Sequence, residues 1–175
     1  MDFVEETRRK LSELPKERLL DYIEMQFKNL WTLQNNWMVR VDEKFGADVA
    51  IELDGMCYGR MSEVGAYRAK KFFNLGDDIE SMLTCLQYLP PEPGSEGEWF
   101  RTGDNKAVWR CTKCAMQLAR RERGAPELPC KQALIDVMDK TFKAVNPKAK
   151  VIRSMAPPDP HPEDLWCEVE FEIEY

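Results

Sequence analysis

Four of the six cysteines lie in the last third of the chain, together with its only histidine. These residues are Cys111, Cys114, Cys130, Cys167 and His161. Thiolates and imidazole nitrogens are ligands that zinc prefers, and thiolates also hold iron–sulfur clusters. The five residues are therefore candidate ligands of a zinc ion or an iron–sulfur cluster.

The spacing of the cysteines keeps a second interpretation open. Cys111 and Cys114 form one Cys-x-x-Cys motif, and no second such motif follows it. Residues three apart on a continuous strand face opposite sides, so this pair can share one ion only if the chain turns at Thr112 or Lys113. Unpaired cysteines are often buried, so the alternative is a set of buried or free thiols. Cys57 and Cys85 lie on apolar helical stripes, and we expect both in the core.

Cys130 has a further interpretation, as a catalytic nucleophile. It stands at the start of a predicted helix, where the helix dipole would lower the pKa of a thiol. His161, in a proline-rich loop, would be its base, with Glu163 or Asp164 orienting the imidazole. The alternative is that His161 is a hydrogen-bonding group on the surface.

The charge balance narrows the classes of partner. The formal net charge is −6, and no basic stripe is interleaved with aromatic residues, which disfavours nucleic-acid binding. No stretch approaches the roughly 18 apolar residues of a membrane span. The first residues, Met1 to Glu6, are acidic where a signal peptide would be basic. We therefore expect a cytoplasmic protein without nucleic-acid or membrane partners.

The first half of the chain has the periodicity of helices. Apolar residues recur every three or four positions from Leu20 to Val41, with Gln34 as the one polar interruption, and again from Val49 to Phe72. The second of these helices contains Gly55, Gly59 and Gly65. Glycines there allow a close approach, either of another helix or of a ligand.

The second half, after a Pro- and Gly-rich seam at 90–97, has the pattern of strands and helices. Two strands flank turn residues at Gly103, and two helices follow. The final strand alternates apolar and acidic residues from Leu165 to Tyr175, which predicts one apolar face and one acidic, solvated face. This order predicts an α+β fold, with an N-terminal helical layer on a roughly four-stranded antiparallel sheet and a helix inserted between strands two and three. We expect a single domain over 1–175, with a helical half at about 1–90 and a mixed sheet half at about 98–175.

This fold suggests where a ligand would bind. A small molecule held between the helical layer and the sheet would meet the cysteine-rich end of the chain. Trp109 and Trp166 would form the wall of that pocket, and the face of the helix with Gly55 and Gly59 would let the ligand approach. The chain is thus interpreted as a small-ligand-binding domain.

Two stretches of the chain resemble a known family. The segments Trp37 to Asp54 and Pro157 to Phe171 look like those of the prokaryotic L-2-amino-thiazoline-4-carboxylate hydrolase-like family, whose members are mostly of unknown function. The resemblance covers the chain from about Leu20 onward. It implies hydrolytic opening of a small sulfur-containing ring. From the residues themselves, the candidates for such a reaction are Cys130 as the nucleophile, or a bound zinc ion that activates water.

A more remote likeness is to the vinyl-4-reductase small-molecule-binding domain. Cys130, the helix that follows it, a strand near Val151 and the segment Cys167 to Phe171 are similar to that domain in order. Such domains carry a further cysteine at the end of the penultimate strand, where this chain has Ser154 and Met155. A metal site of that kind would need Cys111, Cys114 or His161 instead. Relatives of this fold dimerise, which implies a homodimer.

Overall fold

The computed structural model describes residues 2–174. Within them the chain forms six helices and four strands. The helices are α1 (Phe3–Ser12), α2 (Lys16–Phe45), α3 (Ala47–Phe73), α4 (Ile79–Gln87), α5 (Ala115–Glu122) and α6 (Lys131–Val145). The strands are β1 (Glu96–Arg101), β2 (Lys106–Lys113), β3 (Ala149–Met155) and β4 (Cys167–Ile173).

The four strands form one antiparallel sheet in the order β1-β2-β4-β3. The hairpin β1–β2 has the predicted turn residues, and β4 is inserted between β2 and β3. Helices α5 and α6 lie between β2 and β3 in the chain. The predicted α+β class, with helices packed on a four-stranded antiparallel sheet, is confirmed.

Capping residues explain where the helices begin and end. Asp2 accepts a hydrogen bond from the backbone of Val4 at the start of α1, and Asp78 does the same for Ser81 in α4. Gly46 separates α2 from α3 with a φ of 91°, a conformation that suits glycine. The long helical pattern of the first half therefore becomes two antiparallel helices.

The main core joins the two halves of the chain. Phe142 of α6 stacks on Phe171 of β4 with 4.1 Å between ring centroids, and both are fully buried. Met82 and Cys85 of α4 pack into the same cluster. The helical half and the sheet half thus share one hydrophobic core across the predicted seam.

The apolar stripe predicted on α2 is largely exposed. Of the predicted stripe, Leu20 is 55% exposed and Ile23 is 39% exposed, whereas the buried residues of this helix are Trp31 and Met38. The reason is that α2 packs on α3, and α1 buries no residue. None of the helices in residues 2–174 combines the length and the apolar composition that a membrane span needs.

The acidic face of β4 is less solvated than its alternation suggests. Glu168 is buried, with its carboxylate 2.6 Å from Arg110 and 2.6 Å from Arg153 on the neighbouring strands. The hydrogen bond from Arg110, followed by the charge of Arg153, lowers the pKa of Glu168. The prediction of a fully solvated face is wrong at this position, and Tyr175 lies outside the described residues.

Candidate functional site

A cavity of about 490 Å³ lies between helices α3 and α6 and the sheet. The N-terminal part of α3 and the middle of α2 form one end, and the segment 88–95 between α4 and β1 forms part of the rim. The rest of the lining comes from the end of β2, the start of β4 and the starts of α5 and α6. The cavity therefore joins the helical layer to the cysteine-rich part of the chain.

The four C-terminal cysteines come together at the sheet end of the cavity. Cys111 of β2 is paired in register with Cys167 of β4. The chain leaves β2 after Lys113, so that Cys114 becomes the N-cap of α5, and Cys130 is the N-cap of α6. All four thiols line the cavity.

The thiols hold one another in the protonated form. A hydrogen bond with Cys114 lowers the pKa of Cys111. The contact with Cys167 and burial have the opposite and larger effect, so that the pKa is raised to about 12. The contact with Cys111, and then burial, raises the pKa of Cys114. At neutral pH the thiols of Cys111 and Cys114 are therefore neutral.

Cys130 does not have the activated thiol that its place at a helix start predicts. Burial, and then the nearby Cys114, raises its pKa to about 11, and the weak hydrogen bond from Gln117 Nε2 at 3.6 Å does not offset this. The expected lowering by the helix dipole is wrong because desolvation of the thiolate outweighs the dipole.

The donor set does not fit a metal ion well. Within residues 2–174, no three side chains of His, Cys, Asp or Glu are arranged to hold a metal. Cys111 contacts both Cys167 and Cys114, and burial keeps the thiols of Cys111 and Cys114 in their neutral form. The zinc or iron–sulfur site therefore stays a prediction.

His161 and Trp166 lie outside the cavity lining, although both were candidate site residues. The imidazole of His161 contacts the carbonyl of Pro162 at 2.8 Å and the carboxylate of Glu127 at 3.3 Å, and its ring lies 5.1 Å from that of Trp166. Burial lowers the pKa of His161, but these two hydrogen bonds raise it overall. The guanidinium of Arg121 lies over the ring of Trp166, 4.6 Å from its centroid. The structure does not bring His161 to Cys130.

Of the other candidate ligand-binding residues, Trp109 and Gly55 line the cavity and Gly59 does not. Trp109 lines the cavity, beside Trp99 at 5.7 Å between ring centroids. Gly55 also lines it, and a Cβ added there would meet the Cβ of Ala133 at 2.7 Å. Gly59 faces α6 outside the cavity lining. At Gly55 the close approach of a helix and the wall of a cavity therefore coincide.

One part of the cavity, which we call its acidic end, is formed by Asp54 and Glu92, and Glu92 lies close enough to the thiols for its charge to raise the pKa of Cys111 and Cys114. Asp54 of α3 is 6% exposed and accepts a hydrogen bond from Gln34 Nε2 at 2.8 Å. Glu92 accepts one from Ser95 Oγ at 2.6 Å. Burial raises the pKa of both carboxyls; the neutral donors Gln34 and Ser95 lower it only in part, and the charge of Asp54 raises that of Glu92 further.

Several polar atoms at this end are buried without a hydrogen-bond partner. In the described part of the chain there are three such side-chain atoms: Trp31 Nε1, Ser62 Oγ and Glu92 Oε1. All three residues line the same cavity. Trp31 is 5% exposed and Ser62 is 1% exposed. Tyr58 is near Ser62 but makes no hydrogen bond of normal geometry to its Oγ, so the protein satisfies neither group fully.

Sequence reasoning missed this acidic end. Its residues are spread over α2, α3 and the segment before β1, and no short motif joins them. The one available signal was Gln34, the polar interruption of an apolar stripe, which is the hydrogen-bond donor to Asp54. Cys57, expected in the core, is exposed, whereas Cys85 is buried and donates a hydrogen bond to the carbonyl of Ala66.

A comparison with protein families gives a match over most of the chain. The model of a family of unknown function, DUF6125, matches residues 10–173. No curated protein and no solved structure matches the chain significantly.

Proposed function

The chain belongs to DUF6125, a family of unknown function, and we propose that it is a cytoplasmic small-molecule-binding protein. Its ligand occupies the cavity between α3, α6 and the sheet. The volume of about 490 Å³ falls within the range of about 300–1,000 Å³ that is usual for small-molecule sites.

The observation that carries this proposal is the placement of the unpartnered polar atoms. Proteins pair nearly all buried polar groups, and each unpaired group costs about 1–3 kcal/mol. In residues 2–174 the three buried side-chain atoms without a partner all belong to residues of this one cavity. A ligand with its own donors and acceptors would offset that cost.

The rest of the wall suits the apolar part of such a ligand. Aromatic rings and aliphatic side chains form most of it, including Trp99 and Trp109 on the sheet side. A mostly apolar wall with a few placed polar groups is the usual composition of a ligand site. The thiols at the sheet end, kept neutral by their contacts, add to this apolar surface.

Hydrolysis of a thiazoline carboxylate has less support from the geometry. Cys130 is paired with Gln117 instead of His161, and burial raises its pKa to about 11. The charged side chains that line the cavity, within the described chain, are Asp54, Glu92 and Glu96, so a carboxylate substrate would find no cation there. Binding without turnover is therefore the function that we propose.

A homodimer stays a prediction. The exposed apolar side chains of α2, Leu20 and Leu33 among them, are consistent with self-association. These side chains do not line the cavity, so ligand binding there does not depend on self-association.

A neutral fluorescent probe tests the proposed function. N-phenyl-1-naphthylamine should bind with a saturable rise in emission, and Val137→Trp, which fills the cavity from α6, should weaken binding at least about tenfold. Met138→Trp is a second filling variant, and Leu20→Trp adds the same side chain on the exposed face of α2 as a control. Far-UV circular dichroism checks that each variant folds. No binding, or equal binding by the filling variants and the control, would contradict the proposal.

A further inference from the structure

The charges in the cavity are of one sign. Asp54, Glu92 and Glu96 line it, and Glu96 is paired with Lys113 at 2.9 Å. No salt bridge within residues 2–174 includes Asp54 or Glu92. Asp54 and Glu92 thus line the cavity without a cation from the protein.

Each of these carboxyls keeps an oxygen free. Gln34 donates to Oδ1 of Asp54, and the described chain provides no hydrogen bond to Oδ2. Ser95 donates to Oε2 of Glu92, and Oε1 is buried without a partner. A buried carboxylate is costly unless it is paired, and neutral donors pair it only in part.

Burial changes the pKa of both carboxyls. It raises the pKa of Asp54 and of Glu92, and the charge of Asp54 raises that of Glu92 as well. A positive charge between them would offset both effects, because an opposite charge favours the ionised form of a carboxyl.

Aromatic rings surround the same end. Trp31 and Tyr58 lie with ring centroids 5.4 Å apart and both line the cavity, as do Trp99 and Trp109 across it. The faces of aromatic rings attract organic cations, and Trp does so most strongly. Carboxylates together with aromatic faces recognise an ammonium group better than they recognise an anion or a neutral group.

A metal ion suits this end less well. Divalent cations such as Ca²⁺ or Mg²⁺ require about six oxygen ligands, and in the described residues no three acidic, thiol or imidazole groups converge. The buried indole Nε1 of Trp31 and hydroxyl of Ser62 also need partners on the ligand, which a bare ion cannot supply to an N–H donor.

We propose that the ligand is a small organic cation, an amine with an apolar body, whose ammonium group lies between Asp54 and Glu92. The inference rests on the proposed function, since it requires a molecule in this cavity. The apolar body then extends toward Leu134 and the thiol end. Trp31 Nε1 and Ser62 Oγ would contact a hydroxyl or carbonyl group on the ligand.

A series of three probes of similar size and different charge tests the inference. The probes are 4-phenylbutylamine, 4-phenyl-1-butanol and 4-phenylbutyrate, each measured by displacement of N-phenyl-1-naphthylamine from the full chain. We expect the amine to bind about tenfold more tightly than the alcohol, and the acid to bind most weakly. Asp54→Asn and Glu92→Gln should each lower amine affinity about tenfold and leave alcohol affinity within about twofold.

Glu52→Gln is the matched control, because it removes one negative charge from the exposed face of α3. It should change neither affinity. Equal binding of amine and alcohol, or equal losses for both probes in the two cavity variants, would overturn the cation and leave the cavity proposal intact. If neither the fluorescent probe nor any of the three compounds binds, the proposed function fails and the cation fails with it. Should Asp54→Asn not fold, Glu92→Gln alone decides.

Discussion

Gln34 Nε2 donates a hydrogen bond to Asp54 Oδ1 over 2.8 Å, which ties α2 to α3 at the acidic end of the cavity. The single polar residue in the apolar stripe of α2 thus serves a buried carboxyl. In the sequence pattern Gln34 is only a polar interruption of the apolar stripe, whereas in the structure it is part of the candidate binding site.

Asp54→Asn should stabilise the chain in the absence of ligand. Burial raises the pKa of Asp54 from its ordinary 3.8, so the folded chain keeps this proton to a higher pH than the unfolded chain does. The free energy of unfolding therefore falls as the pH rises above that value. The asparagine still accepts from Gln34 and has no charge to lose.

Thermal melts of the two proteins check this effect. At about pH 7 we expect Asp54→Asn to melt roughly 2–4 °C higher, the change that about 1 kcal/mol makes in a chain of this size. At about pH 3, where wild-type Asp54 is protonated, the difference should disappear. A variant that is less stable at neutral pH, or equally stabilised at both pH values, would refute the argument.

Gly55→Ala should destabilise the contact between α3 and α6. The new Cβ would lie 2.7 Å from Ala133 Cβ and 3.2 Å from its Cα, so backbone must move, at a cost of about 1–3 kcal/mol. Gly59→Ala is the control, because its Cβ would meet the flexible Lys140 side chain at 3.4 Å and gains helix propensity. Urea unfolding compares the two, and equal stabilities of both variants would show that the close approach at Gly55 is unimportant.

Thiol alkylation should be fastest at Cys57. This cysteine is exposed, whereas burial keeps the thiols of Cys111 and Cys130 protonated, with pKa values of about 12 and about 11. Iodoacetamide at about pH 8 should label Cys57 first, and the cavity thiols should become reactive only as the pH approaches their raised pKa values.

Mass spectrometry with peptide mapping follows the labelling, and Cys57→Ser should remove the fast phase. Rapid labelling of Cys130 at neutral pH would instead favour the nucleophile that its place at a helix start predicts. That outcome would revive the hydrolase interpretation.

Metal analysis tests the zinc or iron–sulfur prediction. Cys111 contacts both Cys167 and Cys114, and in residues 2–174 no three ligating groups converge, so we expect much less than one equivalent of zinc or iron after purification without chelator. Cys167→Ser should leave the content unchanged. One full equivalent that is lost in Cys167→Ser would contradict this expectation and place a metal at the sheet end.

The fold could be predicted from sequence because its signals are local. Alternation marks β4, and caps at Asp2, Gly46 and Asp78 mark helix boundaries. The meeting of the four cysteines also reflects element order, since Cys111 near the end of β2 pairs with Cys167 at the start of β4, and Cys114 and Cys130 are helix N-caps.

The remaining features depend on three-dimensional packing. The raised pKa of Cys130 results from desolvation by residues that are distant in the chain, which overrides the local dipole. Asp54 of α3 and Glu92 of the segment before β1 are close enough in the cavity for their charges to interact. They are far apart in the sequence, and no motif spacing predicts that they meet. The contact of His161 with Glu127 also joins residues that are distant in the sequence. Sequence reasoning instead paired His161 with the thiol of Cys130.

The most direct test of ligand binding in the cavity uses the five tryptophan indoles in a ¹H–¹⁵N correlation spectrum. Trp31, Trp99 and Trp109 line the cavity, whereas Trp166 lies outside its lining and serves as the internal control. Trp37 lines a neighbouring pocket that shares Asp54, so it is not used as a control. On titration with 4-phenylbutylamine, or with 4-phenyl-1-butanol, we expect the three cavity indoles to shift and Trp166 to stay in place. Absence of shifts with both compounds at millimolar concentration, or shifts that leave Trp31, Trp99 and Trp109 in place, would contradict small-molecule binding in this cavity.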